Sequence, residues 1–347
     1  MGELVVDELE VQKYQEQEVE ENGLPLVLLY GPLSLLNVFG SESLLNNFRL
    51  IKPWESPEIP LHEYLITHAK NVKALVCLGK TELDSKAIHC LPSLEIVVTC
   101  AAGLNHIDLI ECRRRGIMVC NAGNAYTIDG ADYAVGLLLD VLRRVTSGDR
   151  YVRSRMWPLK GEYRLGSKLR GKRVGIVGLG SIGSEVVKRL VPFGCKISYN
   201  SRKKKPGVPY PYYSSVYDLA VNNDVLVLLC SLSEETFHCI DKDVLTALGK
   251  DGVIINIGRG PLVDEEQLVR FLVNGDIAGA GLDVFEDEPA VPRELMELDN
   301  VVLSPHKAVF TPESFIELQE LIVGNLQAFF SKKPLLSLYK NALSASS

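Results

Sequence analysis

Val174-Gly175-Ile176-Val177-Gly178-Leu179-Gly180-Ser181-Ile182-Gly183 decides the fold. An apolar, β-branched run enters a turn with glycine at 178, 180 and 183, and helical apolar spacing follows over 184–190. Strand, glycine turn and helix in that order form a dinucleotide-binding fingerprint, and each glycine has its own duty. The first permits the tight turn, the second lets a pyrophosphate approach the backbone, and the third lets the helix pack close to the strand. The helix N-terminus adds unpaired N–H groups and a positive dipole end. A purely structural glycine turn would carry the same letters; the flanking strand and helix favour the cofactor.

Outward from this stretch the alternation continues. Strands are expected at 173–177, 196–200, 224–230, 252–257, 278–284 and 301–304, with helices at 181–193, 214–221, 241–247 and 264–273. Upstream, apolar runs at 24–30, 74–78, 95–100 and 117–120 alternate with helical stretches at about 60–70, 82–89 and 105–115. Strand alternating with helix implies parallel sheets. The fold class is therefore α/β: two Rossmann-like open parallel-sheet domains, the nucleotide-binding one inserted into the substrate-binding one. The expected division is a mobile acidic tail over 1–23, a substrate-binding domain over 24–125 and 310–347, and a dinucleotide-binding domain over 126–309. An apolar helix over 129–145 is expected to cross between the domains. Residues 150–170 read as loop, and a last helix, about 312–330, would return to the first domain.

The chain has 347 residues, a length that suggests two domains. Its 46% hydrophobic and 23% charged content is that of a globular protein, and its net charge of −7 argues against broad nucleic-acid binding. No apolar run reaches membrane-spanning length. The eight cysteines include no C-x-x-C pair, so they read as small buried hydrophobes rather than as a disulfide or zinc framework, and no metal is expected. An acidic N-terminus without signal or transit character makes the cytoplasm the expected location.

The second strand of a nucleotide fold distinguishes the cofactors. NAD-selective sites place Asp or Glu at its end, to accept from the ribose 2′-hydroxyl. Here Tyr199-Asn200-Ser201 is followed by Arg202-Lys203-Lys204-Lys205, with no carboxylate. Ser201, Arg202 and Lys203 supply the hydroxyl and cations that a 2′-phosphate needs, so NADP(H) is expected over NAD(H). A solvated basic turn is the bland alternative.

Three further strand ends carry chemistry. Asn256-Ile257-Gly258-Arg259-Gly260 sets an arginine between glycines. Gly281-Leu282-Asp283-Val284-Phe285-Glu286-Asp287-Glu288-Pro289 ends a strand in acids, and Ser304-Pro305-His306 ends another in a histidine. Ligands sit at the carboxyl ends of parallel strands, where Arg, Glu and His can bind an anion and move a proton. Glu286 and Asp287 read as solvent-facing neighbours of Glu288. His62, His68 and His238 read as surface or satisfied structural groups, His89 gives no site signal, and His106 reads as a packing or capping group.

From about residue 70 to 330 the chain closely resembles the D-isomer-specific 2-hydroxyacid dehydrogenase family. The segments that carry the likeness are 99–108, 131–139, 171–183, 255–263, 281–289 and 304–306. Within the family it looks most like plant-type glyoxylate/hydroxypyruvate and hydroxyphenylpyruvate reductases, which use NADPH. The resemblance implies reduction of a small 2-oxoacid to the D-2-hydroxyacid. Arg259 would bind the substrate carboxylate and keto oxygen, His306 would donate the proton, and Glu288 would orient His306 and favour its protonated form. Leu179, Gly180, Ser181 and Ile182 would lie on the pyrophosphate, and Ile257 and Asp283 near the nicotinamide. Backbone N–H groups around Leu78-Gly79 and Ala102-Gly103 would help hold the carboxylate. A homodimer is implied, with 129–145 and 150–165 as contacts and Trp157 either lent to a neighbouring subunit's pocket or anchoring its own loop.

Some positions depart from the family pattern. Lys307-Ala308 follows His306 where small residues are common, and Lys307 is either exposed or tunes the pocket. Cys230-Ser231-Leu232-Ser233 and Ala122-Gly123-Asn124 stand where prolines are usual. A competing reading is a dinucleotide-sensing binding protein like the corepressors that share this fold. Turnover of NADPH with 2-oxoacids separates the two.

Overall fold

The computed structural model describes residues 23–32, 42–79 and 81–339. The expected mobile tail, apart from Gly23, lies outside the described residues. The chain divides into two units, Met1–Gly123 with Phe315–Ser347, and Asn124–Ser314.

The first unit is built on β1 (Leu26–Tyr30), β2 (Arg49–Ile51), β3 (Ala74–Cys77), β4 (Ile96–Thr99) and β5 (Met118–Cys120). They form a parallel sheet in the order β2-β1-β3-β4-β5. Every residue of β3 and β4 is buried, which is why both read as unbroken apolar runs rather than alternating ones. Leu28, Leu75, Val97 and Val119 share one core with Leu65, Leu83, Ile88 and Leu91. Local polar signals set the helix starts: the Asp84 and Asp108 side chains accept from Ala87 N and Glu111 N at 2.8 and 2.9 Å.

The second unit holds β6 (Arg173–Val177), β7 (Lys196–Asn200), β8 (Tyr212–Tyr213), β9 (Val225–Leu228), β10 (Val253–Asn256), β11 (Gly279–Leu282) and β12 (Val301–Leu303). All are parallel, in the order β12-β11-β10-β9-β6-β7-β8. The winding reverses between β6 and β9, which makes a topological switch point at their carboxyl ends.

The apolar helix, Thr127–Arg143, does not cross between domains as expected. It lies within the second unit and packs on β10, β11, β12 and helix Ser181–Leu190. Ala131, Ala134, Leu137, Leu138 and Leu142 form its buried stripe. Glycines in β11 let it come close: a Cβ on Gly281 would stand 3.2 Å from Leu137 Cβ, and one on Gly279 would stand 3.0 Å from Val141 Cγ1. Helix Val145–Arg153, which follows the first after Arg144 takes a left-handed turn (φ 57°), runs into the stretch read as loop, and that stretch also holds the short helix Trp157–Lys160.

All eight cysteines are free thiols. Burial pushes the thiols of Cys77, Cys100 and Cys120 up to about 12, which suits inert core positions. Among the described residues no helix is long and apolar enough to cross a membrane, and no acid, histidine and cysteine cluster suits a metal.

Candidate active site

The glycine turn sits at the switch point for steric reasons. Gly178 has φ +97°, and a Cβ there would meet Cys230 N at 2.5 Å, just past the end of β9. A Cβ on Gly183 would meet Gly178 O at 2.6 Å, so the third glycine lets helix Ser181–Leu190 lie against the turn. Gly180 differs from both. A Cβ there would have no neighbour within 4 Å, so the backbone borders open space before the first helical turn. That opening, beside first-turn N–H groups which α-helix geometry leaves without helical acceptors, fits a pyrophosphate over Leu179, Gly180, Ser181 and Ile182.

At the end of β7, the Asn200 amide donates to Tyr213 O at 2.9 Å. The following turn is braced by two tyrosines: Tyr212 donates its hydroxyl proton to Ser201 O at 3.2 Å, and Tyr199 Oη accepts from Lys205 N at 2.9 Å. Arg202 and Lys203 are exposed on this fixed turn, and Ser201 is half-buried with its hydroxyl donating to Lys203 O at 2.8 Å. Serine and two cations, in a stretch with no Asp or Glu from 196 to 217, fit a ribose 2′-phosphate.

The loop after β10 is shaped by Asn256, whose Oδ1 accepts from Gly258 N at 3.0 Å while its Nδ2 donates to Arg259 O at 2.9 Å. Arg259 Nη1 donates to its neighbour Gly258 O at 2.6 Å. Burial pulls the Arg259 guanidinium below its ordinary pKa, and the charge of Glu288 opposes that shift. Both flanking glycines are demanded by packing. A Cβ on Gly258 would press on Leu262 Cδ1 at 2.9 Å, and one on Gly260 would overlap Phe285 O at 1.8 Å. Ile257 is half-buried at the start of this loop.

After β11, the Glu288 carboxylate accepts from Phe285 N at 3.2 Å and faces His306 Nδ1 at 2.7 and 2.8 Å through its two oxygens. His306, after β12, holds a left-handed φ of 50°, a conformation that costs about 1–3 kcal/mol in a non-glycine residue and collects at functional sites. Asp283 secures it. The Asp283 carboxylate is buried and accepts from Ser304 Oγ, Lys307 N and Ala308 N at 2.6, 2.9 and 2.9 Å. Lys307 itself is exposed. Arg259, Glu288 and His306 are thus gathered at the carboxyl edge of one sheet, on neighbouring β10, β11 and β12. Glu286 is exposed, as expected from the sequence, and its Oε1 also lies 2.8 Å from His238 Nε2.

In the first unit, Leu78 and Gly79 follow β3, and Ala102 and Gly103 follow β4, at adjacent strand ends. Leu78 N donates to Tyr30 O at 2.8 Å, and Gly79 turns with φ +64°. Ala102 is exposed, with its carbonyl accepting from Asn121 Nδ2 at 2.9 Å. His106 Nε2 lies 3.1 Å from Thr99 Oγ1, at the base of the same loop.

The sequence reading passed over Asn256 and Ser304. Each is a buried polar residue at a strand's carboxyl end, and that placement was the signal available.

A glycine turn at a switch point, with an imidazole–carboxylate pair and a half-buried arginine along the same edge, defines a class: the dinucleotide-dependent oxidoreductases. Residues 135–308 match the family model described as D-isomer specific 2-hydroxyacid dehydrogenase, NAD binding domain. A glyoxylate/hydroxypyruvate reductase of Arabidopsis thaliana is 54% identical over 92% of this chain and 98% of its own length. A hydroxyphenylpyruvate reductase of Plectranthus scutellarioides is 47% identical over 90% and 97%. Among solved structures, the NADPH-dependent glyoxylate/hydroxypyruvate reductase of Sinorhizobium meliloti, crystallised with NADP and malonate, superposes with a TM-score of 0.83. It is 33% identical and covers 93% of this chain and 99% of that one. The chain belongs to the D-isomer specific 2-hydroxyacid dehydrogenase family, as its motifs led us to expect.

Proposed function

We propose that this protein reduces a small 2-oxoacid, of the glyoxylate, hydroxypyruvate or hydroxyphenylpyruvate kind, to the D-2-hydroxyacid with NADPH. The observation that carries the reading is the two-oxygen contact of Glu288 with His306 Nδ1, on the sheet edge that also carries Arg259. When bound, NADPH supplies the hydride that the keto carbon receives. Arg259 pairs with the substrate carboxylate and polarises the keto oxygen. Glu288 accepts the Nδ1 proton of His306, which fixes the ring and stabilises its charged form, and Nε2 delivers the proton to the developing alkoxide. Relatives named for glyoxylate, hydroxypyruvate and hydroxyphenylpyruvate reduction support the substrate class. The Ser201-Arg202-Lys203 turn, together with the NADP-bound relative, supports the cofactor.

A homodimer belongs to the same reading. Trp157, Leu159 and Leu165 are 61%, 76% and 92% exposed, a run of apolar side chains that a second copy would cover. Light scattering of the purified chain tests it, and a monomer would remove it.

The test of function is NADPH oxidation against a panel of 2-oxoacids, with His306→Ala beside the parent. Turnover is expected to fall by about 10²–10⁴-fold in the variant while NADPH still binds. Tight NADPH binding by a parent that turns over none of the 2-oxoacids would instead favour the sensor reading.

A further inference from the structure

The loops that carry Arg259 and Glu288 touch at a second place, away from the Glu288–His306 pair. A Cβ on Gly260 would stand 1.8 Å from Phe285 O and 2.5 Å from Glu286 N, so the two backbones are in direct contact there. One residue is bonded to both loops. The backbone N–H of His238 donates to Pro261 O at 2.9 Å, while its ring Nε2 lies 2.8 Å from Glu286 Oε1. His238 holds a left-handed φ of 48° to do so, and its ring stacks on Phe237 at 3.9 Å between centroids. Glu286 is gripped from the far side as well: its N–H donates to Glu265 Oε2 at 3.2 Å, and Glu265 N donates to Glu286 Oε2 at 3.4 Å.

This arrangement contributes little to global stability. The His238 and Glu286 side chains are 30% and 34% exposed, so solvent screens the pair. Its geometric effect is larger. Arg259 bonds to its own neighbour's carbonyl, so the backbone of 258–260 sets where the guanidinium lies. Asn256 fixes one end of that backbone, and the Gly260–Phe285 contact fixes the other. Misplacement of a substrate-holding group by about 1 Å can cost about 10²-fold in rate.

We propose that His238 and Glu286 are positioning residues, a latch that sets Arg259 against the Glu288 segment and so against His306. The proposal rests on the 2-oxoacid reductase reading. Neither residue touches the reacting atoms; both act through the loops they join.

The test compares the full-length parent with His238→Ala, His238→Gln and Glu286→Gln. His238→Ala is expected to raise KM for glyoxylate or hydroxypyruvate about tenfold and to lower kcat less, with KM for NADPH unchanged. His238→Gln presents an amide N–H near the position of Nε2 and should recover most of the loss. Adding Glu286→Gln to His238→Ala should add little further, because both break one link. Parent-like constants in His238→Ala would overturn the latch, and so would a loss shared equally between NADPH and 2-oxoacid with no rescue by glutamine. If the parent reduces none of the 2-oxoacids, the reductase reading fails by itself. Amide hydrogen exchange then decides: faster exchange across 259–263 and 285–288 in His238→Ala upholds the latch, and unchanged exchange rejects it.

Discussion

Asp283 holds His306 through the backbone on one side and through its carboxylate on the other. The Asp283 carbonyl accepts the His306 N–H at 2.8 Å, while the carboxylate takes the next two amides, of Lys307 and Ala308, and the Ser304 hydroxyl. The left-handed turn at His306 is thereby enclosed by four hydrogen bonds to one residue. Asp283→Asn would turn an NH2 group toward a buried N–H and leave one donor unmatched. The expected cost is about 1–3 kcal/mol in denaturant unfolding. Turnover should drop about tenfold to hundredfold as the His306 ring loses its register with Glu288. Unfolding curves and kcat measured on the same preparation check both, and an Asn variant with parental turnover would contradict the argument.

In the proposed function, the turn after β7 sets the preference for NADPH. Each charge-assisted hydrogen bond to a phosphate contributes about 1.5–3 kcal/mol. Replacing Arg202 and Lys203 together by alanine should therefore raise KM for NADPH by about tenfold to hundredfold or more, and leave KM for NADH nearly unchanged. Both side chains are exposed, so folding should not suffer. Equal losses for the two cofactors would mean that the turn does not read the 2′-phosphate.

Much of this architecture was legible because it rests on local rules. The β6 run, the glycine spacing and the strand ends bearing Arg259, Glu288 and His306 each follow from short stretches of chain. What stayed hidden was set at a distance or by weak signals. Strand β8 is two residues long, Tyr212–Tyr213, and follows prolines at 206, 209 and 211, which read as loop. The helix Arg293–Glu297 is a single turn behind Pro292. The break at Arg144 uses a left-handed arginine, with no glycine or proline to announce it. The periodicity of Thr127–Arg143 showed an apolar face but could not say which surface it covers. His238 and Glu286 lie 48 residues apart, and nothing in either neighbourhood marks the other as its partner.

Two carboxyl groups give stability opposite pH slopes. Burial alone would raise Asp224, but hydrogen bonds from the Arg173 side chain and backbone hold it below the usual range. A lowered acid contributes stability that is present above its unfolded pKa and lost as pH falls through the folded value. Asp224→Asn should therefore cost about 1–2 kcal/mol at neutral pH, with the gap closing in acid below the ordinary aspartate range. Glu265 runs the other way: burial, then the charges of Glu286 and Asp287, hold it above the usual range. Its contribution is fully present below the unfolded pKa and lost as pH rises through the folded one. Glu265→Gln keeps an oxygen for Glu286 N and should be at least as stable as the parent at neutral pH, with no advantage in acid. Guanidinium unfolding at the two pH values checks both signs.

The glycine turn separates folding from binding within three residues. At Gly178 a methyl group meets Cys230 N at 2.5 Å on a backbone of φ +97°, so Gly178→Ala strains both the chain and the β6–β9 junction. That variant should lose several kcal/mol of stability, about 1–3 from the left-handed backbone and more from the clash. At Gly180 the φ is −87° and nothing lies within 4 Å of an added Cβ. Gly180→Ala should fold as well as the parent, with a melting temperature no lower, because alanine reduces the freedom of the unfolded chain. Its added methyl points into the space that the proposed pyrophosphate would fill, so NADPH affinity should fall about tenfold or more even though the protein is intact. Calorimetric melting and NADPH titration of the two variants give the contrast directly. If Gly180→Ala bound NADPH like the parent, the dinucleotide would have to lie elsewhere than over this turn.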